Sequence, residues 1–381
     1  MMFIRILADD LTGALDCAAA FGAGVPVHLG EVTGDLRPEI EIVSTGTRDV
    51  QRNELPSLLL PSLAWLQTAD IAFKKVDSLL RGNTFEEVEC LARQGNFDGV
   101  AFVPAFPAQG RVTEGGQQWW LKADGQRTAV AASISSTLMD KGWTVVREPA
   151  APDFGANRSH RLLVWVPDVR NEDDMLAVAT QALNCKAKVL WCASAGLAQA
   201  LASKLAQLPQ SPQRANERGI ENAAAEGGPL MLISASHHAV TQSQWQVLKN
   251  SSLSAACVEV KDPIEELNIT QDTSPCLIDL SAATPLTSEH AATLLAVQTQ
   301  KIAQTAPRPR VLVVVGGDTL LALCQALGAT GLQSAMPMAR PGWGCARMLG
   351  GRWDGLICHT RSGAFGTAND LLEVIEVLSD Q

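Results

Sequence analysis

The sequence predicts an α/β protein of two domains, each a mainly parallel sheet flanked by helices, and three observations lead to that expectation. Apolar runs of four to six residues alternate with stretches of helical periodicity, as in parallel β-α-β units. The chain has 381 residues and is 46% hydrophobic, too long for one ordinary core. Between 207 and 228 the periodicity is lost in a stretch rich in Pro, Gln, Asn, Ala and Gly, which reads as a linker. Residues 1–206 and 229–381 are therefore the expected domains, with the active site expected in the cleft between them.

The elements follow in order. A strand is expected over 3–8, then a helix over 14–23, and further strands at 41–44 and 71–75. Thr84-Phe85-Glu86-Glu87 has the form of a capping box and should open a helix running to Arg93. A strand at 100–103 follows. The second half repeats the pattern, with strands at 230–233, 311–315 and 356–360 and helices opening at Thr241 and spanning 319–327.

The net charge of −10 and pI near 5.1 argue against nucleic acid, since no Lys/Arg run forms a basic stripe. An anionic substrate would have to meet a local cationic cluster. Nine cysteines without a Cys-x-x-Cys pattern suit reduced thiols in a cytoplasmic protein. No apolar segment approaches the ~18 residues needed to span a bilayer, so no membrane partner is expected. The six histidines show no metal-ligand spacing, and the nine tryptophans read as core residues. Oligomeric state stays open, a homo-oligomer included.

Polar groups recur just past the apolar strands, where open α/β sheets bind ligands. Asp9-Asp10-Leu11-Thr12-Gly13 comes first. If the two carboxylates continue the strand they alternate sides, one facing ligand and the other bracing the turn. Both also suit a helix start without any ligand. Lys74, Lys75, Asp77, Ser78, Arg81, Gly82 and Asn83 form a denser set. Lys and Arg can hold a carboxylate while Asp77 and Ser78 hydrogen-bond hydroxyls, a combination suited to a polyhydroxy acid; the same charges can simply pair with each other in a solvated loop. Arg48 offers a further guanidinium. The loop from Pro104 to Arg111 has its shape fixed by two prolines and a glycine.

In the second half Ser234-Ala235-Ser236, Gly316-Gly317-Asp318-Thr319 and Ser362-Gly363-Ala364-Phe365-Gly366 all follow strands. Glycines let backbone approach phosphate closely, and helix N-termini present unpaired N–H groups to anions. Neither a P-loop nor the dinucleotide fingerprint is present.

Together these segments resemble the four-carbon acid sugar kinase family, the tetronate kinases, formerly a domain of unknown function. The resemblance covers nearly the whole chain. It rests on Asp9-Asp10-Leu11-Thr12-Gly13, the segment from Lys75 to Asn83, Pro104-Ala105-Phe106-Pro107 with Gly110-Arg111, Ala195-Gly196-Leu197-Ala198, Gly316-Gly317-Asp318-Thr319, Pro341-Gly342, and Ser362-Gly363 with Phe365-Gly366. It implies an N-terminal domain that binds a tetronate, a C-terminal domain that binds ATP, and γ-phosphoryl transfer to the terminal hydroxyl of the acid.

On this reading Asp10, or else Asp9, orients or deprotonates the attacking hydroxyl. Arg48, Lys75 and Arg81 hold the substrate carboxylate, and Asp77 and Ser78 its hydroxyls. Ser234, Ser236, Gly316, Gly317, Asp318, Thr319, Ser362 and Gly363 cradle ATP, with Mg²⁺ expected between phosphates and protein although no metal motif is visible. The chain departs from the family at Ala235, where Gly is usual, at Arg361, where Lys is commoner, and in a shorter stretch after Gly116 that lacks an Asp-Pro-x-x-Pro element. Two rivals are a non-catalytic sugar-acid sensor, disfavoured by the glycine turns, and an NAD-dependent sugar-acid dehydrogenase, disfavoured by the missing fingerprint.

Overall fold

The computed structural model describes residues 2–32, 38–122, 124–156, 162–207, 227–260, 274–282, 286–336 and 342–379. All of the expected linker except Gln207, Gly227 and Gly228 lies outside the described residues. The chain divides into two compact units, one comprising Met1–Phe21 with Gly30–Glu217 and the other Gly22–Leu29 with Arg218–Gln381.

The sheet of the first unit runs Ile40–Ser44, Ile4–Ala8, Ile71–Lys75, Val189–Ala193, Gly99–Val103, Leu163–Trp165, Thr144–Val146, and every neighbouring pair is parallel. Four of these strands are buried along their whole length, as parallel strands covered on both faces must be. A small antiparallel sheet of Arg111–Glu114, Gln117–Leu121 and Arg127–Ala129 belongs to the same unit.

In the second unit Cys257–Glu259, Cys276–Asp279, Leu230–Ser234, Val311–Val315 and Ile357–Arg361 are parallel. Gly344–Leu349, Gly331–Ser334 and Pro26–Leu29 then continue that sheet in antiparallel fashion. Gly22–Leu29, inside the 1–206 span, thus belongs to the second unit. Its place is fixed by pairing of Leu332 with Val27 and by the Val25 N–H, which donates to Ser334 Oγ at 2.9 Å. A four-residue strand carries no local mark of which sheet it will join.

Helix boundaries moved for identifiable reasons. The first helix is Leu11–Ala20, three residues earlier than expected, because Asp10 caps it: Oδ1 accepts from the Gly13 N–H at 3.2 Å. The helix Thr84–Gln94 lacks the expected capping box. Thr84 is already helical, its hydroxyl donates to the Arg81 carbonyl, and Glu87 turns inward to Lys74 instead. The helix Ala239–Lys249 begins before Thr241 because His238 Nδ1 accepts from the Val240 N–H at 3.2 Å. Seven tryptophans are buried as expected, whereas Trp119 is half-buried and Trp120 exposed on the small sheet.

His359 lies in the buried strand Ile357–Arg361 with Nδ1 lacking a hydrogen-bond partner, and burial pushes its pKa down to about 4. Its unfolded value is near ~6.5, so the unfolded chain binds the proton first. Stability present above that value is lost as pH falls from ~6.5 to ~4, by about 3 kcal/mol, and changes no further through this group below that. Denaturant unfolding at pH 7 and pH 4.5 should show this loss, and His359→Leu should show a smaller one. Equal losses in the two proteins would remove His359 as the cause.

Candidate functional site

In the first unit, three neighbouring parallel strands bring their carboxyl ends level, with Ala8 opposite both Ser44 and Lys75. The segments that follow them carry Asp9, Asp10, Arg48, Lys75 and Asp77. Arg48 is the hub. Its Nε donates to Asp9 Oδ2 at 2.8 Å, its Nη2 to Asp10 Oδ1 at 2.6 Å, and the same nitrogen lies 3.9 Å from Asp77 Oδ1. The expected alternation of the two aspartates does not apply, because the strand ends at Ala8 and one edge of a guanidinium reaches both carboxylates. Asp10 Oδ2 makes no hydrogen bond among the described residues, whereas Asp9 is buried at 4% exposure.

Backbone contacts hold these segments together. Thr45 N–H and Oγ1 both donate to the Ala8 carbonyl at 2.9 Å, and the Arg48 N–H donates to the Asp9 carbonyl. Asn83 Nδ2 donates to the Val50 carbonyl at 2.8 Å and to Thr47 O at 3.2 Å. Gly82 has φ +71, and a Cβ there would lie 2.5 Å from the Arg48 carbonyl, so the close approach needs glycine. Gly13 is required differently: a Cβ would sit 2.5 Å from Asp10 Oδ1 and 2.6 Å from Lys75 Nζ. Leu80, with φ 54, holds a left-handed conformation unusual for a branched side chain.

Charge here is concentrated and nearly balanced. Burial would raise the Asp9 pKa, but Lys74, Arg48 and Lys75 outweigh it and hold the carboxyl below its ordinary value. Burial would lower Lys75, yet Asp10 and Asp9 keep it above its usual range. Asp77 is held low against burial by Arg81 and Arg48, and Arg81 closes on it with Nε and Nη2, both at 2.8 Å. Ser78 is half-buried, and its carbonyl accepts from Gln118 Nε2 at 2.9 Å.

Below this layer Lys74 and Glu87 form an ion pair at 2.6 Å with both side chains 1% exposed, and Lys74 Nζ also donates to the Lys75 carbonyl. Asn83 lay in a segment rich in functional residue types. Gln118, fully buried and bonded to Ser78 and Pro104, gave no sequence signal.

The second unit repeats the arrangement with different chemistry. Ser234, Val315 and Arg361 stand level at the carboxyl ends of three adjacent parallel strands. The three expected turns follow directly. Gly316, at φ +105, leads into the helix Gly317–Leu327, whose first turn holds Asp318 and the buried Thr319. Ser234 Oγ accepts from the Ser236 N–H at 3.3 Å. Thr241 Oγ1 donates to the Gly363 carbonyl at 2.7 Å, and Ser362 Oγ accepts from the Ala364 N–H.

Arg361 points inward, away from the role of a phosphate-binding cation. Its guanidinium bonds Asp370 and Gln244 and lies 4.9 Å from the Trp343 ring. Gln244 in turn donates to the carbonyls of Phe365 and Thr367. Arg361 therefore braces the turn that contains Ser362 and Gly363. Nothing in the sequence marks Gln244 or Asp370, since a glutamine or an aspartate in an amphipathic helix ordinarily faces water.

Among the described residues no three His, Cys, Asp or Glu side chains are grouped to hold a metal ion, and all nine cysteines are free. No helix among them is long and apolar enough to cross a membrane.

Residues 4–137 match the family described as sugar-binding N-terminal domain. The chain is 25% identical to a D-threonate kinase of Salmonella typhimurium over 423 aligned positions, covering 100% of this chain and 99% of that one. It is 27% identical over 275 residues to a D-threonate kinase of Cupriavidus necator, covering 64% of this chain and 63% of the relative's length. Two solved structures share the fold over 98% of this chain. One is a Salmonella typhimurium protein described as a putative tRNA synthase, with TM-score 0.70, 18% identity and 98% of its own chain covered. The other is a Haemophilus influenzae protein of a domain family of unknown function, with TM-score 0.63, 19% identity and 99% covered. An α/β unit that matches a sugar-binding domain family, followed by a second α/β unit, is the class that these features define. The four-carbon acid sugar kinase family is the one that the chain resembles, through this N-terminal match and through relatives named D-threonate kinase.

Proposed function

We propose that this protein transfers the γ-phosphoryl group of ATP to the terminal hydroxyl of a four-carbon acid sugar of the erythronate, threonate or 3-oxo-tetronate type. The observation that carries this reading is the pairing of two strand-end constellations. The first unit offers a charged set suited to a hydroxy acid, and the second offers three glycine or serine turns on consecutive parallel strands. Relatives named D-threonate kinase give the reading its substrate class.

Arg48, Lys75 and Arg81 supply the positive field for the carboxylate, while Asp77 and Ser78 orient hydroxyls. Asp10 presents Oδ2 to the acceptor hydroxyl and takes its proton as the new P–O bond forms and ADP leaves. The second-unit turns hold the nucleotide. A Cβ on Gly363 would lie 3.0 Å from Thr241 Oγ1, so the packing of this turn against Thr241 requires glycine. Mg²⁺, when bound, neutralises phosphate charge; with no three-carboxylate cage among the described residues, phosphate oxygens and water would supply most of its ligands.

ADP release should be detected with at least one stereoisomer of erythronate, threonate or 3-oxo-tetronate in the presence of ATP and Mg²⁺. Background ADP with every one of them, from protein that still binds ATP, would sink the substrate assignment.

A further inference from the structure

The two arginines at the first-unit constellation are already occupied. Arg48 spends Nε and Nη2 on Asp9 and Asp10, and Arg81 spends the same two nitrogens on Asp77. That side-on edge is the fork with which a guanidinium grips a carboxylate in two parallel hydrogen bonds. Lys75 lies in the field of Asp9 and Asp10. A substrate carboxylate that takes a guanidinium by this side-on edge must therefore either break one of these pairs or find another cation.

Arg111 is that cation. It stands at the start of the small antiparallel sheet, half-buried, with Nη1 donating to the Gln109 carbonyl at 2.9 Å and to Gln109 Oε1 at 2.7 Å. Its Nε is buried without a hydrogen-bond partner, and no ion pair to Arg111 exists among the described residues. The fork that Arg48 and Arg81 fill with aspartate is unfilled here. An unpartnered buried donor is costly unless something else completes it.

The position of Arg111 is fixed from several sides. Its backbone pairs with Phe106 in both directions, at 2.7 and 3.1 Å. Gly110, at φ +70, lets the chain pass close to Leu121, whose N–H donates to the Gly110 carbonyl at 2.7 Å. Gln118 of the same small sheet binds the Ser78 carbonyl, which ties this sheet to the turn carrying Asp77 and Arg81. The guanidinium also lies 5.7 Å from the Trp120 ring. Burial lowers its pKa, while Asp77 attracts its charge and Arg81 repels it. Since Asp77 is already held by Arg81, Arg111 has no carboxylate partner of its own among the described residues.

We infer that Arg111 is the residue that grips the substrate carboxylate, and that it sets the preference for acid sugars over neutral polyols. This rests on the acid-sugar reading above, with Arg48 and Arg81 acting on the substrate through the field and through the aspartates they hold.

The test uses the full chain and calorimetric binding without ATP, with erythronate and threonate as acids and erythritol and threitol as their neutral counterparts. In the unaltered protein the acids should bind at least ~10-fold more tightly. Arg111→Gln should weaken acid binding by on the order of 10- to 100-fold and leave polyol binding unchanged, because a bidentate charge-assisted pair is lost. Arg111→Lys, which keeps the charge and loses the fork, should fall between the two. Unchanged polyol binding in the same samples reports that the first unit of both variants is folded.

Acid preference unaltered in Arg111→Gln would overturn the inference, even if tetronates are phosphorylated normally. So would a failure of the unaltered protein to bind either acid. Arg111-dependent acid binding without any ADP release would support it while removing the kinase reading.

Discussion

Asp10→Asn is expected to lower kcat with the best acid sugar by on the order of 10²- to 10⁴-fold, while the KM for ATP stays within about twofold. The substitution isolates charge from shape. Asparagine caps helices as well as aspartate does, so the bond from the Gly13 N–H to position 10 should survive and the helix Leu11–Ala20 should start where it does now. What is removed is the negative oxygen that would accept a proton from the acceptor hydroxyl. Arg48 keeps Asp9 as its partner through Nε at 2.8 Å, so no buried cation is abandoned. Steady-state kinetics with each substrate varied in turn would separate the effects. Normal turnover in Asp10→Asn would make Asp10 structural and pass the proton-accepting role to Asp9 or Asp77.

The opposite signature is expected from Gly363→Val. A side chain at this position runs into Ser236 Oγ and approaches Thr241 Oγ1, the group that donates to the Gly363 carbonyl at 2.7 Å. The turn must open, which displaces the backbone proposed to hold phosphate. The KM for ATP should rise by roughly 10- to 100-fold, with kcat at saturating ATP changed far less, since binding shared by ground and transition state is what is lost. Acid binding measured without nucleotide should be unaffected. An unchanged KM for ATP would mean that the turn at Ser362 and Gly363 does not hold the nucleotide, and the cradle would have to be sought at Gly316 and Ser234 alone.

Much of the fold could be read from the chain because its signals are local. A run such as Val311–Val315 is apolar at every position and is followed by two glycines, so strand, buried setting and turn all follow from a few adjacent residues. The same holds for Ile4–Ala8 with Asp9 and Asp10, and for Ile71–Lys75 with Asp77. Where two local signals competed, the tertiary partner decided. Thr84 and Glu87 have the spacing of a capping box, but a buried Lys74 required a carboxylate, and a desolvated charge outweighs an exposed cap.

By itself, then, the sequence determined the class of fold, the strand-end turns, and the residue types gathered near each of them. Only the tertiary structure decided which charge meets which. Arg48 lies some forty positions from the two aspartates that it clamps, and no periodicity encodes that contact. Gln118 enters through the strand Gln117–Leu121, which carries no active-site signal. Pro26–Leu29 joins the sheet of the other unit. The physical reason is common to all three: strands and turns are specified by neighbours along the chain, whereas ion pairs, buried amides and strand partners are chosen among groups that only folding brings within hydrogen-bond reach.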